Sequence, residues 1–373
     1  MGHWRQATAL TGQILLDSDR NQSKLAAERL IIPAMQSPRE GKALILATRS
    51  YVREDTARSR REALLTGALV LLGFAVSLGP TTLALKVLLA PVLGLLLVRA
   101  FVLFHDHQHR AILHDSPIAR ACFSVLGLFL LTPPKVWRDT HDYHHAHNAK
   151  LIGSHVGSYP TVSVAIWKKL PPAERRRYAV SRHPLTVLFA YLTLFLWGMC
   201  IQPLVKNPRT YASEVLPALG LHFALLFGIG AGLGGETLLL GFLLPMNVAF
   251  VAGAYLFYVQ HNFEGAVFAD RRDWELSRAA LHSSSFLDLS PVMHWFTANI
   301  GYHHVHHMNA RIPFYRLPEA MAEIPELQNP SRSTLLPRDI AAAFRLKLWD
   351  AEAGKMVGFP EEAAPEFADP IAN

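Results

Sequence analysis

The sequence predicts an all-α integral membrane protein with four transmembrane helices in two hairpins and a cytoplasmic helical cap. Three observations lead there. Of the 373 residues, 51% are hydrophobic and only 17% charged, a balance outside that of ordinary soluble domains. Long apolar segments come in pairs joined by very short turns. Histidine is concentrated in three stretches just beyond the ends of those segments, so the cap is expected to carry a His-rich dimetal site.

Taken in chain order, residues 1–62 read as a cytoplasmic N-terminal segment. "MGHWRQATALTGQILLDSDR" lacks the charged-then-apolar profile of a signal peptide, so the first apolar segment must serve for insertion. Residues 63–345 read as one membrane domain. Its spans are expected at about 63–79 and 83–104, joined by "LGPTT", and at 215–233 and 236–260, joined by "LGGE"; each approaches the ~20 residues needed to cross ~30 Å of hydrocarbon. The stretches 118–134 and 184–205 are also apolar. If the histidines after residue 104, around 141 and around 303 are to meet, the chain must cross the bilayer an even number of times between them. The second stretch has Arg177 and Arg182 before it and Lys206 and Arg209 after it, positive charge at both ends, which suits entry and exit on one side. Both stretches are therefore read as interfacial. Residues 262–345 are polar enough to form the cap, and 346–373, rich in Pro and acids, read as a disordered tail.

The formal charge of +7 does not indicate a nucleic-acid partner, because Lys and Arg gather at the edges of apolar segments, as in Arg58, Arg60 and Arg61, in the manner of the positive-inside rule. Cys122 and Cys200 lie in apolar stretches and read as small buried hydrophobes, with neither a disulfide framework nor a thiolate site.

"HDHQH" (105–109), "HDYHHAH" (141–147) and "HHVHH" (303–307) hold eleven of the 19 histidines. His105 and His109 stand at i, i+4; His141, His144 and His145, and again His303, His306 and His307, stand at i, i+3, i+4. On a helix these offsets put the rings on one face, as two ligands to one ion or to neighbouring ions require. Imidazole suits iron, zinc, copper and nickel rather than magnesium or calcium, and eight rings exceed the four that a single zinc takes, so two metals are expected. His261, at the end of the last apolar segment, is a ninth candidate. A solvated basic face is the bland alternative, but like-charged rings one turn apart repel if protonated. Lone histidines such as His114, His155, His183, His222, His282 and His294 read as hydrogen-bonded structural residues. His107, His147 and His304 point off the ligand faces and are expected to donate to carboxylates or orient neighbours, with Asp106, Asp142 and Asn299 also placed around the ligands.

The order H-x3-H, H-x2-H-H, H-x2-H-H, each beside an apolar pair, resembles the three histidine boxes of the membrane fatty acid desaturase family. "HDYHHAHN", "RRRYAVSRHPLTVLF", "FYVQHNFEG" and "HSSSFLDLSPVMHWFTANIGYHHVHHMNARIPFYRL" are similar to delta-12 (omega-6) type acyl-lipid desaturases over roughly residues 60–320. The resemblance implies two iron ions held by the eight box histidines and His261, O2 as co-substrate, and a double bond inserted into a membrane-lipid acyl chain. It also implies a bacterial inner membrane with the N-terminus and boxes cytoplasmic. No dinucleotide fingerprint, fused haem domain or Cys-rich cluster motif is present, so a separate ferredoxin or cytochrome-type donor is expected to supply electrons. Phe257 stands where some acyl-CoA desaturases carry an additional asparagine. Alternatives are a hydroxylase, ketolase or acetylenase using the same boxes and, from other classes, a metal transporter or bis-histidine haem protein. The last two would place ligands near mid-membrane or singly on facing helices.

Overall fold

A computed structural model describes residues 38–360; positions 1–37 and 361–373, and the expectations that fall on them, lie outside the described residues. The chain is mostly helical. Among the described residues four helices are long and apolar enough to cross a membrane: α2 (Thr56–Leu78), α3 (Leu83–Gln108), α6 (Pro208–Leu233) and a span Thr237–Val259, whose π-helical first part leads into α7 (Leu244–Val259). Three of the four start earlier than apolar composition suggested or end later. α2 begins seven residues ahead of 63 because Asp55 caps it, its carboxylate accepting from Arg58 N–H at 3.0 Å. α3 starts under Thr82 and runs on past 104, so His105 lies within a continuous helix.

Close approaches set the spacing of these helices. A Cβ on Gly73 of α2 would fall 2.8 Å from Leu93 of α3, and one on Gly94 would fall 2.5 Å from Val248 of α7. Small residues at such crossings are how apolar helices pack where no hydrophobic drive separates them from lipid. The α3–α7 seam, with Leu97, Val98, Phe250 and Ala254, is the largest core.

The two apolar stretches read as interfacial are broken. α4 (Pro117–Phe129) and α5 (Pro134–His147) meet at 88°, because Leu131 adopts φ 52° and the Pro133–Pro134 pair holds the residue before it out of helical geometry. Residues 184–206 split into Pro184–Leu188, a π-helix Tyr191–Ile201 and Gln202–Lys206. Cys200 is buried, but Cys122 is exposed on α4, contrary to the expectation.

The remaining elements pack behind the histidines. α1 (Gly41–Ala47) precedes α2; α8 (Leu276–Ser283), α9 (Pro291–Phe296) and α10 (His303–Met308) follow α7. Strands β1 (Phe286–Leu287) and β2 (Arg332–Ser333) pair in parallel, with Phe286 opposite Arg332. The boundary at 62 is corrected here: Leu44 and Tyr51 share one core with Val305, Met308 and Leu317, and Asn309 donates to Thr48 Oγ1 at 2.8 Å, so residues 41–62 belong with the domain. The boundary at 346 is corrected too. β3 (Leu348–Asp350) and β4 (Lys355–Val357) form an antiparallel hairpin, and Phe359 packs on Trp167 at 4.6 Å; apolar Leu348, Trp349 and Met356 had been outweighed by the acidic residues beyond them.

Candidate metal centre

Three helices and one helix end converge to bring nine imidazoles together. α3 ends in His105 and His109, α5 carries His141, His144 and His145, α10 carries His303, His306 and His307, and His261 follows the end of α7. α5 presents its rings inward because its N-terminal turn is fixed by Pro134 and by Lys135 N–H donating to Glu214 at 2.6 Å. α10 is only six residues long, and all six are buried. Val305 and Met308 face the core shared with Leu44 and Tyr51, which turns His303, His306 and His307 the other way.

The nine rings sort into two groups able to hold a metal ion, His105, His109, His141, His145 and His306 in one, and His144, His261, His303 and His307 in the other, with one nitrogen from each ring within 4.8 Å of all others in its group. The sorting follows helix geometry. Each i, i+4 pair (105/109, 141/145, 303/307) stays in one group, whereas the i+3 residues His144 and His306 cross to the other. Nε2 atoms approach one another closely: His105–His141 at 3.1 Å, His141–His145 at 3.0 Å and His145–His306 at 3.1 Å in the first group, and His144–His261 at 3.1 Å, His261–His303 at 2.9 Å and His303–His307 at 3.1 Å in the second.

That spacing tests whether metal fits. Two nitrogens each about 2.1 Å from one ion and at right angles to each other lie about 3.0 Å apart. Imidazolium charge cannot serve instead at neutral pH. Burial, reinforced by neighbouring histidines, holds His303, His306 and His307 well below the usual imidazole range, and burial lowers His261 to about 4 against the partial offset of its bond to Ser283. Where two neutral rings turn lone pairs toward each other at this distance they repel, and a cation between them removes the repulsion. Five and four nitrogens suit a borderline transition metal, and five exceed the tetrahedral set of zinc.

Outer bonds hold two of the rings, and the one to a carbonyl fixes its tautomer. His105 Nδ1 lies 3.1 Å from buried Asp106 Oδ1, and Asp106 Oδ2 accepts from Phe314 N–H at 2.7 Å. His261 Nδ1 lies 3.0 Å from Ser283 O. A proton on Nδ1 leaves the Nε2 lone pair free to bind a cation.

Other expected neighbours are placed differently. Asp142 is 60% exposed and its nearest oxygen is 4.0 Å from His109 Nδ1, beyond hydrogen-bond reach. Asn299 donates to Phe314 O at 3.1 Å and so reaches the ligands only through Phe314 and Asp106. His107, His147 and His304 do not donate to carboxylates; each ring lies about hydrogen-bond distance from a backbone oxygen, of Ile112 at 3.1 Å, Tyr143 at 2.9 Å and Leu327 at 3.0 Å. Local carbonyls satisfy these rings more cheaply than distant side chains can.

Sequence reasoning missed Trp137, which stacks on His141 at 4.2 Å and sets its edge against His105 at 5.3 Å and His109 at 5.7 Å. Its signal was present, since Trp137 stands one turn before His141 on the same face. Phe257 likewise lies one turn before His261 and edges His144 at 5.0 Å. The roles of Phe314 N–H and Ser283 O are carried by backbone and leave no trace in residue type.

Comparisons with known proteins identify the family. The profile of the fatty acid desaturase family matches residues 81–336, which include all nine histidines. A fatty acid desaturase of Bacillus subtilis (strain 168) is 30% identical over 289 residues, covering 74% of this chain and 77% of the relative. An sn-1 oleoyl-lipid 12-desaturase of Synechocystis is 24% identical over 64% of this chain and 67% of its own, and a chloroplastic omega-6 fatty acid desaturase of Arabidopsis thaliana is 23% identical over 61% and 50%. The chain belongs to the fatty acid desaturase family, which makes it an oxidoreductase of lipid metabolism, and its apolar helices mark it as a membrane protein.

Proposed function

We propose that this member of the fatty acid desaturase family is an O2-dependent acyl-lipid desaturase that inserts a double bond into a membrane-lipid acyl chain at a centre of two irons. The observation that carries this reading is the pair of imidazole groups with Nε2 contacts of 2.9–3.1 Å. Iron bound there supplies the redox chemistry: two hydrogens leave adjacent methylenes and, with two electrons from a separate ferredoxin or cytochrome-type donor and two protons, O2 is reduced to two waters.

The chain's own residues hold and enclose the reacting region. His105, His109, His141, His145 and His306 would hold one ion, and His144, His261, His303 and His307 the other. Asp106 and Ser283 O orient His105 and His261. Trp137 and Phe257 pack against the rings and help keep water from the site. Beneath them the facing sides of α3 and α7 are apolar, with Leu97, Phe101 and Phe250 lining a small cleft.

The orientation follows from charge. Arg58, Arg60 and Arg61 flank the start of α2 and Arg110 follows α3, whereas the turns 79–82 and 234–236 at the opposite ends contain no Lys or Arg. The positive-inside rule then puts the histidines and residues 262–345 on the cytoplasmic face of a bacterial inner membrane, above two helical hairpins. Expression in a host lacking the activity, with chromatography of its fatty acid methyl esters, tests the reading. A new unsaturated species lost on His306→Ala, together with iron near two per chain, is expected. Stoichiometric zinc with activity retained overturns the iron centre, and a hydroxylated product overturns desaturation.

A further inference from the structure

One face of α3 grips the chain on both sides of α10. Arg99 and Asp106 stand seven residues apart, two turns or about 10 Å along the axis, and so on the same side of the helix. Asp106 Oδ2 accepts from Phe314 N–H at 2.7 Å, beyond the C-terminal end of α10. Arg99 reaches the segment that precedes it. Nη1 donates to the carbonyl of Trp295 in α9, and the guanidinium lies 4.2 Å from the centre of the Trp295 ring. The two grips are joined to each other, because Asn299 donates to Phe314 O at 3.1 Å.

The guanidinium is itself fixed by α2, with Nε donating to Thr66 Oγ1 at 3.0 Å and Nη2 to Glu62 at 2.6 Å. The Arg99 side chain is 2% exposed and that of Glu62 15%. A buried ion pair costs desolvation on both partners and is weak evidence for stability, and a charge inside a spanning helix marks a functional place. Here the pair holds a backbone carbonyl. From Trp295 to α10 the chain has little slack: Ala298 N–H returns to Trp295 O at 3.1 Å, Tyr302 N–H to Asn299 O at 3.0 Å, and the N–H groups of Val305 and His306 to Tyr302 O, each at 3.1 Å. Ala298 and Asn299 take left-handed φ of 43° and 56°, which persist only where the surroundings impose them. A shift of the Trp295 carbonyl therefore carries through to the rings of α10.

We propose that Arg99, its charge balanced by Glu62, is a positioning residue that sets α10 against α3 and so closes the first imidazole group. The inference rests on the two-ion reading above. The first group takes His105 and His109 from α3 and His306 from α10, whereas the second, His144, His261, His303 and His307, has no ring from α3. The second also keeps its own tie to the turn before α10, Gln260 Nε2 donating to Ile300 O at 2.8 Å beside His261. Freeing α10 from α3 thus loosens one ion and spares the other.

The test is retention of iron by the full chain purified in detergent, counted per chain after dialysis against increasing EDTA, with Tm measured alongside. Arg99→Leu alone strands Glu62, so the main variant is Arg99→Leu with Glu62→Leu, an apolar replacement of a buried pair that is often neutral or stabilising. It is expected to keep the Tm of wild type, to hold one iron as wild type does, and to bind the other about 10–100-fold more weakly, the cost typical of losing an outer support of a ligand. Arg99→Lys keeps the charge but lacks the planar fork that bridges three partners, and should release the same iron; it gives the reading should the double variant not accumulate. Added to His307→Ala, whose remaining iron belongs to the first group, the double change should empty the site. Added to His145→Ala, whose remaining iron belongs to the second, it should change nothing. Wild-type retention of both irons in the double variant or in Arg99→Lys overturns the proposal. Loss of both irons together with a lower Tm also overturns it, since that is the mark of a merely structural role. A wild-type chain that never holds two irons overturns the two-ion reading itself.

Discussion

The two imidazole groups are assembled from the same three boxes, yet their surroundings differ. In the first group, five rings include His105, whose outer partner is the buried carboxylate of Asp106. In the second, four rings include His261, whose outer partner is a backbone carbonyl, Ser283 O. A carboxylate makes an imidazole a stronger donor than a neutral carbonyl does, and the fifth ring adds another nitrogen. The two groups therefore differ in ring number and in the atom that holds an outer nitrogen, Asp106 Oδ1 in the first and Ser283 O in the second, an asymmetry that no counting of histidines reveals.

The largest expected effect comes from removing one ring from each group. His145→Ala and His307→Ala should each lower iron from two toward one per chain and abolish the unsaturated product, as measured by metal analysis and lipid chromatography. Full iron and activity in either variant would break the assignment of that group. Next, Asp106→Asn should cost about 10–100-fold in iron affinity or activity. Ser283→Ala should cost far less, because the carbonyl that His261 uses is kept; equal losses in competition with a chelator would erase the distinction between the groups.

Acid should act more gently. Burial lowers His261 and His304 to about 4 from an ordinary 6.5. Between those values the unfolded chain binds more protons than the folded one, so stability is complete above about pH 6.5 and falls as pH drops toward 4. A Tm lower by a few degrees at pH 5 than at pH 7 is expected, and a higher one would contradict the burial of neutral rings. The smallest effect belongs to His147, which stacks on Tyr143 at 3.9 Å away from both groups. His147→Gln should leave activity within about twofold, as substitutions away from packed or charged features do; a loss comparable to that of His145→Ala would mean the box has a further ligand.

Residue pattern carried much of this. The four apolar segments and the i, i+4 pairing of histidines within boxes are local properties, readable because helix period and span length are fixed by backbone geometry. Boundaries were less legible. Hydropathy alone started α2 at 63, whereas Asp55 caps it, and it dismissed residues 346–360, where three apolar side chains suffice to fold a hairpin against Trp167 and its neighbours. His107, His147 and His304 illustrate a different limit, since composition shows a ring but not the carbonyl it will find.

The sequence by itself determined that nine imidazoles would be available, because their helical offsets and their places at the ends of apolar segments are set along the chain. Only the tertiary structure decided how they divide. His144 and His306 leave the i, i+4 pairs of their own helices and cross between groups, because α3, α5, α7 and α10 approach from different directions. The same packing placed Phe314 N–H on Asp106. Such contacts join residues far apart in the chain, and no local period encodes which pairs will meet.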